Sequence, residues 1–188
     1  MGPEYTPDSV RIVSAHKMSI NMSGVLILGI NKGTKWAKQL RQGSPILTYE
    51  VVGKFGTATD SCFGDGRVLA RATHGHVTTG KVQALISSMQ GTYQRQMFAL
   101  SGIDIQSQTA YELACKGLIR PKEIDVPMIY GIRSTGNVGK TFTLEVQAMN
   151  VDQEYLSQMI NKIGIHLRTA AHCSKIRCTR VGFFSYKD

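Results

Sequence analysis

The sequence of 188 residues has few acidic residues, few cysteines and no long apolar run. Its 13 Asp and Glu residues are outnumbered by 22 Lys and Arg residues, which gives a formal net charge of +9. A domain this basic most often binds a polyanion, and nucleic acid is the commonest one. No apolar stretch approaches the roughly 20 residues that span a bilayer, so we predict no membrane segment.

The four cysteines are scattered, without the spacing of a disulfide framework. This distribution favours a reducing compartment, namely the cytosol, the nucleus or the mitochondrial matrix, over secretion. The N-terminus has no secretory apolar region, and its early acidic residues argue against a transit peptide. His166, His172, Cys173 and Cys178 do not form the close pairs that structural zinc sites use, so we predict no metal site.

Hydrophobic periodicity predicts short strands alternating with helices. The strands are predicted over 25–30, 46–55, 128–133 and 142–149, and the helices over 32–42, 78–91, 109–116 and 152–164. The segments 94–105 and 165–186 are predicted to be extended. We therefore expect one α/β or α+β domain over residues 1–188, with a mixed, mainly antiparallel sheet and flanking helices.

A Gly-Asn-Val-Gly-Lys-Thr run at 136–141 is similar to a phosphate-binding loop. In such a loop a glycine would stand at the position of Ser134, and a helix would follow the Lys-Thr pair. The residues that follow alternate like a strand, so we interpret the run as a hairpin turn and predict no nucleotide site.

Basic residues concentrate in two strips, one on the first predicted helix and one near the C-terminus. We predict that both strips contact phosphates of a nucleic acid backbone, and a solvated charged surface is the alternative. The strips comprise Lys35, Lys38 and Arg41 in the first, and Arg168, Lys175, Arg177 and Arg180 in the second.

The run 16–29 reads His-Lys-Met-Ser-Ile-Asn-Met-Ser-Gly-Val-Leu-Ile-Leu-Gly. It resembles the active-site loop of pseudouridine synthases, whose pattern is His-Arg-Leu-Asp-x-x-x-Ser-Gly-Val-Leu. Further matches follow in the same order at 29–35, 48–60, 110–117 and 171–184. Together they resemble the TruB family of pseudouridine synthases over nearly the whole chain, and the Gly-Leu-Ile-Arg-Pro run resembles its mitochondrial animal-type branch.

This resemblance implies a catalytic domain that flips a uridine out of RNA and uses no cofactor. It implies that Tyr49 stacks on the flipped base, that Tyr155 is a second active-site tyrosine and that Ile176 closes the pocket. The implied partner is RNA, whether tRNA, mRNA or rRNA, and the implied location is mitochondrial, with cytoplasm or nucleus as the alternative. Protein partners in a mitochondrial RNA-processing assembly are also implied.

Two substitutions depart from the family pattern. Ser19 stands where the family has its nucleophilic Asp, and a serine hydroxyl is not ionised at neutral pH without an adjacent base. Ser157 stands where the family has the Arg that pairs with this Asp. Loss of the Asp alone would leave a buried, unpaired Arg, which costs about 3–5 kcal/mol, so the two serines are consistent as a joint replacement.

The family's upstream Lys-Pro-x-Gly strand has no counterpart in this sequence, so we expect an N-terminally truncated domain with one unprotected sheet edge. Our leading hypothesis is a catalytically inactive RNA-binding protein. The first alternative is an active uridine-to-pseudouridine isomerase that uses another carboxylate, with Asp60 as the candidate. The second alternative is an interaction subunit whose basic surface meets an acidic protein.

Overall fold

The computed structural model describes residues 9–104, 106–116, 119–120, 126–136 and 139–186. Four α-helices and ten strands are formed within these ranges. The strands are β1 (Ile12–Ser14), β2 (Met22–Gly24), β3 (Leu28–Ile30), β4 (Leu47–Phe55), β5 (Thr57–Thr59), β6 (Val68–Arg71), β7 (Met128–Ser134), β8 (Thr141–Met149), β9 (Ala171–Val181) and β10 (Phe184–Ser185). The helices are α1 (Thr34–Gln42), α2 (Thr79–Ser101), α3 (Gln108–Lys116) and α4 (Gln153–His166).

A six-stranded sheet forms the centre of the fold. Its strands follow the order β10-β9-β4-β8-β7, with antiparallel pairing throughout this path. Strand β2 adds the one parallel ladder of this sheet, alongside β9. The mixed, mainly antiparallel sheet with flanking helices confirms the predicted fold class.

The two faces of this sheet differ sharply in burial. On the core face, β4 buries every second residue from Leu47 to Phe55. Helices α2 and α4 supply the apolar residues that join this cluster, such as Ile86 and Ile160. On the outer face, the intervening residues from Thr48 to Lys54 are only half-buried. Polar side chains are therefore tolerated on the outer face, as in other one-sided antiparallel sheets.

The predicted buried strand over 25–30 is wrong. Strand β3 covers only Leu28–Ile30 and pairs with β1, outside the central sheet. Leu28 and Ile30 are each more than half exposed, because α1 covers only the opposite face of this ladder, where Gly29 meets Ala37. A continuous apolar run cannot by itself distinguish a doubly buried strand from such a peripheral one.

Helix α2 is longer than predicted. Gly91 does not end it, and the predicted extended segment 94–105 is helical up to Ser101. A glycine inside a helix costs about 1 kcal/mol, and the good helix formers that follow it outweigh this cost. The helix ends at Gly102, which adopts the left-handed conformation with a φ of 66°.

The predicted extended segment 165–186 begins too early, because α4 continues to His166 and β9 starts at Ala171. The hairpin of β7 and β8 is formed as predicted. Within the described ranges, no helix is long and apolar enough to cross a membrane. The same ranges contain no group of three or more His, Cys, Asp or Glu residues that could hold a metal ion.

Candidate functional site: a cavity beside Ser19

The segment that carries Ser19 is held between β9 and the start of α4. Ser19 is half-buried, and its carbonyl accepts a hydrogen bond from the Met22 amide at 3.1 Å. The Asn21 amide donates to Oε1 of Gln153 at 3.2 Å, which ties the segment to the first turn of α4. Strand β2 then pairs with β9. The position of Ser19 is thus fixed from two sides.

Gly24 allows the close approach of β2 to β9. Its φ is +116°, and a Cβ atom at this position would overlap the carbonyl group of Cys178. The next amide, that of Val25, donates to this carbonyl at 2.9 Å. A side chain here would push the Ser19 segment off the sheet, so the match of the Ser-Gly-Val run to the family pattern has a physical basis.

A cavity of about 850 Å³ opens beside this segment. It lies where the core face of β4 meets the N-terminus of α4. Its polar and aromatic lining comprises His16, Lys17, Ser19, Arg41, Gln42, Ser44, Tyr49, Asn150 and Asp152. A concave site of this volume with a few convergent polar groups is typical of small-molecule and nucleotide pockets.

Tyr49 forms the aromatic part of the lining and is only 2% exposed. Its hydroxyl donates to the Val151 carbonyl at 3.4 Å. Burial raises the pKa of Tyr49, and the nearby Cys178 and Asp152 raise it further. The phenol therefore stays neutral at physiological pH. Whether Tyr49 stacks on a base remains a prediction, but its ring lines the same cavity as Ser19.

His16 is buried and lines the cavity as well. Neither ring nitrogen has a hydrogen-bond partner among the described residues. Desolvation lowers the pKa of His16, and the nearby backbone of Val25 opposes this shift only in part. The imidazole is therefore neutral at pH 7. An unpaired buried polar group costs about 1–3 kcal/mol, which a bound ligand could recover by hydrogen bonding.

Charged side chains of both signs surround the cavity. Lys17 and Arg41 are exposed at its rim, and Asp152 is the acidic residue of the lining. The Asp152 carboxylate accepts a hydrogen bond from the Tyr155 amide at 2.8 Å, as the predicted N-cap of α4. The sequence identified this cap, but not that Asp152 lines the same cavity as Ser19, because that requires knowing where α4 docks.

Ser157 lies outside the cavity lining, one helical turn after Gln153 on α4. It is 2% exposed, and its hydroxyl donates to the Glu154 carbonyl at 2.9 Å. It follows Gln153 by four residues, so the two share one helix face, and Gln153 is the residue that touches the segment. A longer side chain at Ser157 would thus extend from the helix face that touches this segment.

Tyr155 and Ile176 do not line the cavity. Tyr155 is half-buried, and the Tyr93 hydroxyl of α2 hydrogen-bonds its phenol oxygen. Ile176 is fully buried and is the register partner of Met22, so it anchors β2 to the sheet. The predicted roles of Tyr155 and Ile176 in substrate binding therefore stay predictions, because neither residue lines the cavity.

The predicted phosphate contacts fall into separate groups. Lys35, Lys38 and Arg41 are exposed on α1, and Arg41 reaches the cavity rim. Arg168 is exposed after α4 and adopts a positive φ of 56°. The remaining three, Lys175, Arg177 and Arg180, lie on the outer face of β9, away from the cavity.

A β-bulge gathers these three side chains on one face. The register pairs Thr48 with Arg180 and Tyr49 with Cys178, so Thr179 is an extra residue in β9. Residues 177 and 180 are an odd number of positions apart and would otherwise point to opposite faces. The bulge places both arginines beside outer-face residues of β4.

Asp60, the candidate replacement carboxylate, lies outside the cavity. It is exposed in the turn after β5, and its Oδ1 accepts hydrogen bonds from the Ser61 and Arg67 amides at 2.7 and 2.9 Å. The Gly-x-x-Thr-Asp match is therefore a structural turn in this protein.

Comparison with known families agrees with this geometry. Residues 14–152 match the model described as TruB family pseudouridylate synthase, N-terminal domain. The chain belongs to the TruB family.

Among similar proteins is the mitochondrial pseudouridylate synthase TRUB2 of Xenopus tropicalis, with 37% identity over 98% of this chain and 56% of its own length. The Homo sapiens TRUB2 protein is 35% identical over 98% of this chain and 55% of its own length. A tRNA pseudouridine synthase B of Mycobacteroides abscessus is 26% identical over 86% of this chain. The chain thus spans about half the length of these relatives and lies within the animal mitochondrial branch.

Solved structures with a similar fold include the archaeal box H/ACA sRNP Nop10–Cbf5 complex. The aligned chain has a TM-score of 0.56 and 16% identity, over 93% of this chain and 40% of its own length. An H/ACA RNP bound to a substrate RNA containing 2'-deoxyuridine gives a TM-score of 0.54 and 20% identity. These similarities establish the fold.

Proposed function

We propose that this chain is a single RNA-binding domain of the TruB family that accepts a nucleotide in the Ser19 cavity without isomerising it. The observation that carries this proposal is Ser19 itself, a hydroxyl at the lining position where the family pattern has a carboxylate. The neutral Tyr49 ring, the unpaired His16 nitrogens and the cationic rim support a retained nucleotide pocket.

The surroundings of Ser19 argue against its activation as a nucleophile. A serine hydroxyl needs a general base within hydrogen-bond reach. His16 is the nearest candidate, yet its ring nitrogens make no hydrogen bond to Ser19 or to any other described residue. Ser157 removes the buried positive charge that a catalytic carboxylate would pair with. Both substitutions favour binding without chemistry.

RNA is the proposed partner because of the net charge of +9 and the two basic strips. The relatives carry names of pseudouridine synthases, including a tRNA enzyme and mitochondrial proteins. We extend this to a mitochondrial location and to protein partners in an RNA-processing assembly.

The test combines binding and chemistry in one preparation. We would measure tritium release from RNA labelled at uridine C5, alongside the affinity for the same RNA at several salt concentrations. We expect salt-dependent binding with no tritium release above background. Release from the wild-type chain would contradict the proposed inactivity, and an absence of RNA binding would contradict the whole proposal.

One observation favours a second function, an active isomerase. Asp152 supplies a carboxylate to the cavity lining, and its charge acts on Tyr49. If tritium is released, Asp152→Asn should abolish it, since Asn also caps helices and would preserve the start of α4. Asp60→Asn is the matched control and should retain full release.

The third alternative, a subunit that binds an acidic protein, predicts no RNA affinity at moderate salt. The salt series therefore separates it from both RNA-binding functions.

A further inference from the structure

The hairpin formed by β9 and β10 exposes three aromatic side chains within four residues. Phe183 is 93% exposed, Tyr186 is 61% exposed and Phe184 is 54% exposed. Large apolar side chains at such exposure, close together, usually mark a binding surface.

The backbone of this hairpin is nevertheless held in place. The Gly182 amide donates to the Ile46 carbonyl at 3.0 Å, and the Tyr186 amide donates to the Thr179 carbonyl at 2.8 Å. Gly182 adopts a positive φ of 56°, which suits the tight turn. The aromatic side chains are therefore presented on an ordered support, so a ligand would not have to order the turn on binding.

Cationic side chains accompany these aromatic side chains. The Arg177 guanidinium lies 3.8 Å from the centre of the Tyr186 ring. Arg180 donates through Nε to the Gly182 carbonyl at 2.7 Å, which holds its guanidinium beside the turn. Lys175 lies on the same outer face, two residues before Arg177. The Tyr186 ring and both arginines therefore lie beside the turn that carries Phe183.

We propose that the β9–β10 hairpin is a stacking site for single-stranded RNA, with bases on Phe183 and phosphates on Arg177 and Arg180. This combination of a cationic groove with exposed aromatic side chains is how proteins bind single strands without sequence preference. The inference rests on the proposed RNA-binding function and adds a second contact region to it.

The hairpin is also close to the Ser19 cavity along the chain fold. Ile46, whose carbonyl holds Gly182, lies between Pro45 and Leu47, which both line the cavity. One RNA strand can therefore pass from the cavity over this segment to the hairpin. The hairpin would bind nucleotides that flank the one in the cavity.

The experiment compares Phe183→Ala with wild type in the full chain, by fluorescence anisotropy. The probes are an oligouridylate of about 12 nucleotides, an abasic strand of the same length and an RNA duplex. We expect about five- to tenfold weaker binding of oligouridylate and unchanged binding of the abasic strand and the duplex. Phe183→Trp should restore the affinity, because it restores a stacking ring.

The matched control is Tyr111→Ala, which removes a 67% exposed aromatic side chain from α3. It should leave oligouridylate binding within twofold of wild type. If the wild-type chain binds RNA but Phe183→Ala has no effect, the hairpin proposal is overturned and the proposed function stands. If the wild-type chain does not bind RNA, both fail. Equal losses of affinity for all three probes would mean that Phe183 does not act by stacking on unpaired bases. That result would also overturn the hairpin proposal.

Discussion

The Ser19 cavity and the β9–β10 hairpin, which both adjoin the start of β4, differ in burial and in charge. On the core face, the Ser19 cavity has a buried ring and unpaired polar atoms in its lining, with charged side chains at its rim. On the outer face, β9 carries fixed cations, and the Tyr186 ring of the β9–β10 hairpin lies against Arg177. Enclosed polar groups select one ligand, whereas exposed rings and cations bind many. If Ser19 is inactive as proposed, the change affects the first surface and leaves the second intact.

The largest effect is expected from Ser157→Arg, which tests the core face. A buried arginine without a partner should lower the free energy of unfolding by about 3–5 kcal/mol. Ser19→Asp in the same chain should recover part of this loss, because the family pattern pairs an Asp and an Arg at these two positions. Denaturant unfolding of the two single variants and the double variant gives the coupling energy.

Ser88→Arg on the exposed side of α2 is the control for this cycle and should change stability by less than about 0.5 kcal/mol. If the changes in the free energy of unfolding are additive, the side chains at positions 19 and 157 do not interact. Tritium release by the double variant would further indicate that the retained cavity still orients a uridine.

The next largest effect compares the two basic groups directly. Alanine replacement of all three cations in one group should lower the salt slope of RNA binding by up to about 2. The two triple variants are Lys35, Lys38 and Arg41 to Ala, and Lys175, Arg177 and Arg180 to Ala. Equal losses would support one RNA that contacts both basic groups, whereas a loss confined to one variant would place the RNA on that group alone.

A smaller effect is expected from acid, through His16 in the cavity. Because burial lowers the pKa of His16, the unfolded chain takes up a proton that the folded chain refuses. The free energy of unfolding should therefore be greatest above pH 6.5, and fall as pH drops below it. Unfolding midpoints between pH 7.5 and pH 5, at intervals of about half a unit, measure this.

His16→Gln should flatten this part of the pH profile. Gln42→Ala, which changes a side chain of the same lining that does not titrate, is the control and should leave the profile as it is in wild type. If His16→Gln leaves the pH dependence of unfolding unchanged, burial of the His16 ring does not contribute to that dependence.

The smallest effect is expected from Glu50→Gln on the outer face. Glu50 is the register partner of Arg177 and of Glu145, and Glu145 is already paired with Arg133 at 2.8 Å. Removing the Glu50 charge should raise RNA affinity about two- to threefold at low salt, because repulsion of phosphates decreases. Glu112→Gln on α3 is the control and should have no effect. If the RNA affinity of the Glu50→Gln variant is also unchanged, RNA does not bind near this part of the sheet.

The sequence predicted those parts of the fold that local patterns determine. The N-cap at Asp152 and the β7–β8 hairpin follow from capping chemistry and turn residues. The end of α2 was missed because a glycine at position 91 resembles a stop signal, although its neighbours favour a helix.

The candidate site was predicted less completely, for a physical reason. Which face Arg177 and Arg180 share depends on one extra residue in β9, and a bulge has no signal in periodicity. The entry of Asp152 into the cavity depends on how α4 docks against a segment more than 130 residues away in sequence. Such long-range register is a property of the assembled sheet.

The parallel pairing of β2 with β9 has a consequence for synthesis. Residues 22–24 find their partners at 176–178, so the segment that carries Ser19 cannot be fixed until β9 has left the ribosome. Contacts of such high sequence separation form slowly, because loop closure precedes any gain from pairing. The segment that carries Ser19 therefore takes up its place beside the cavity only after residues 176–178 have been synthesised and have paired with it.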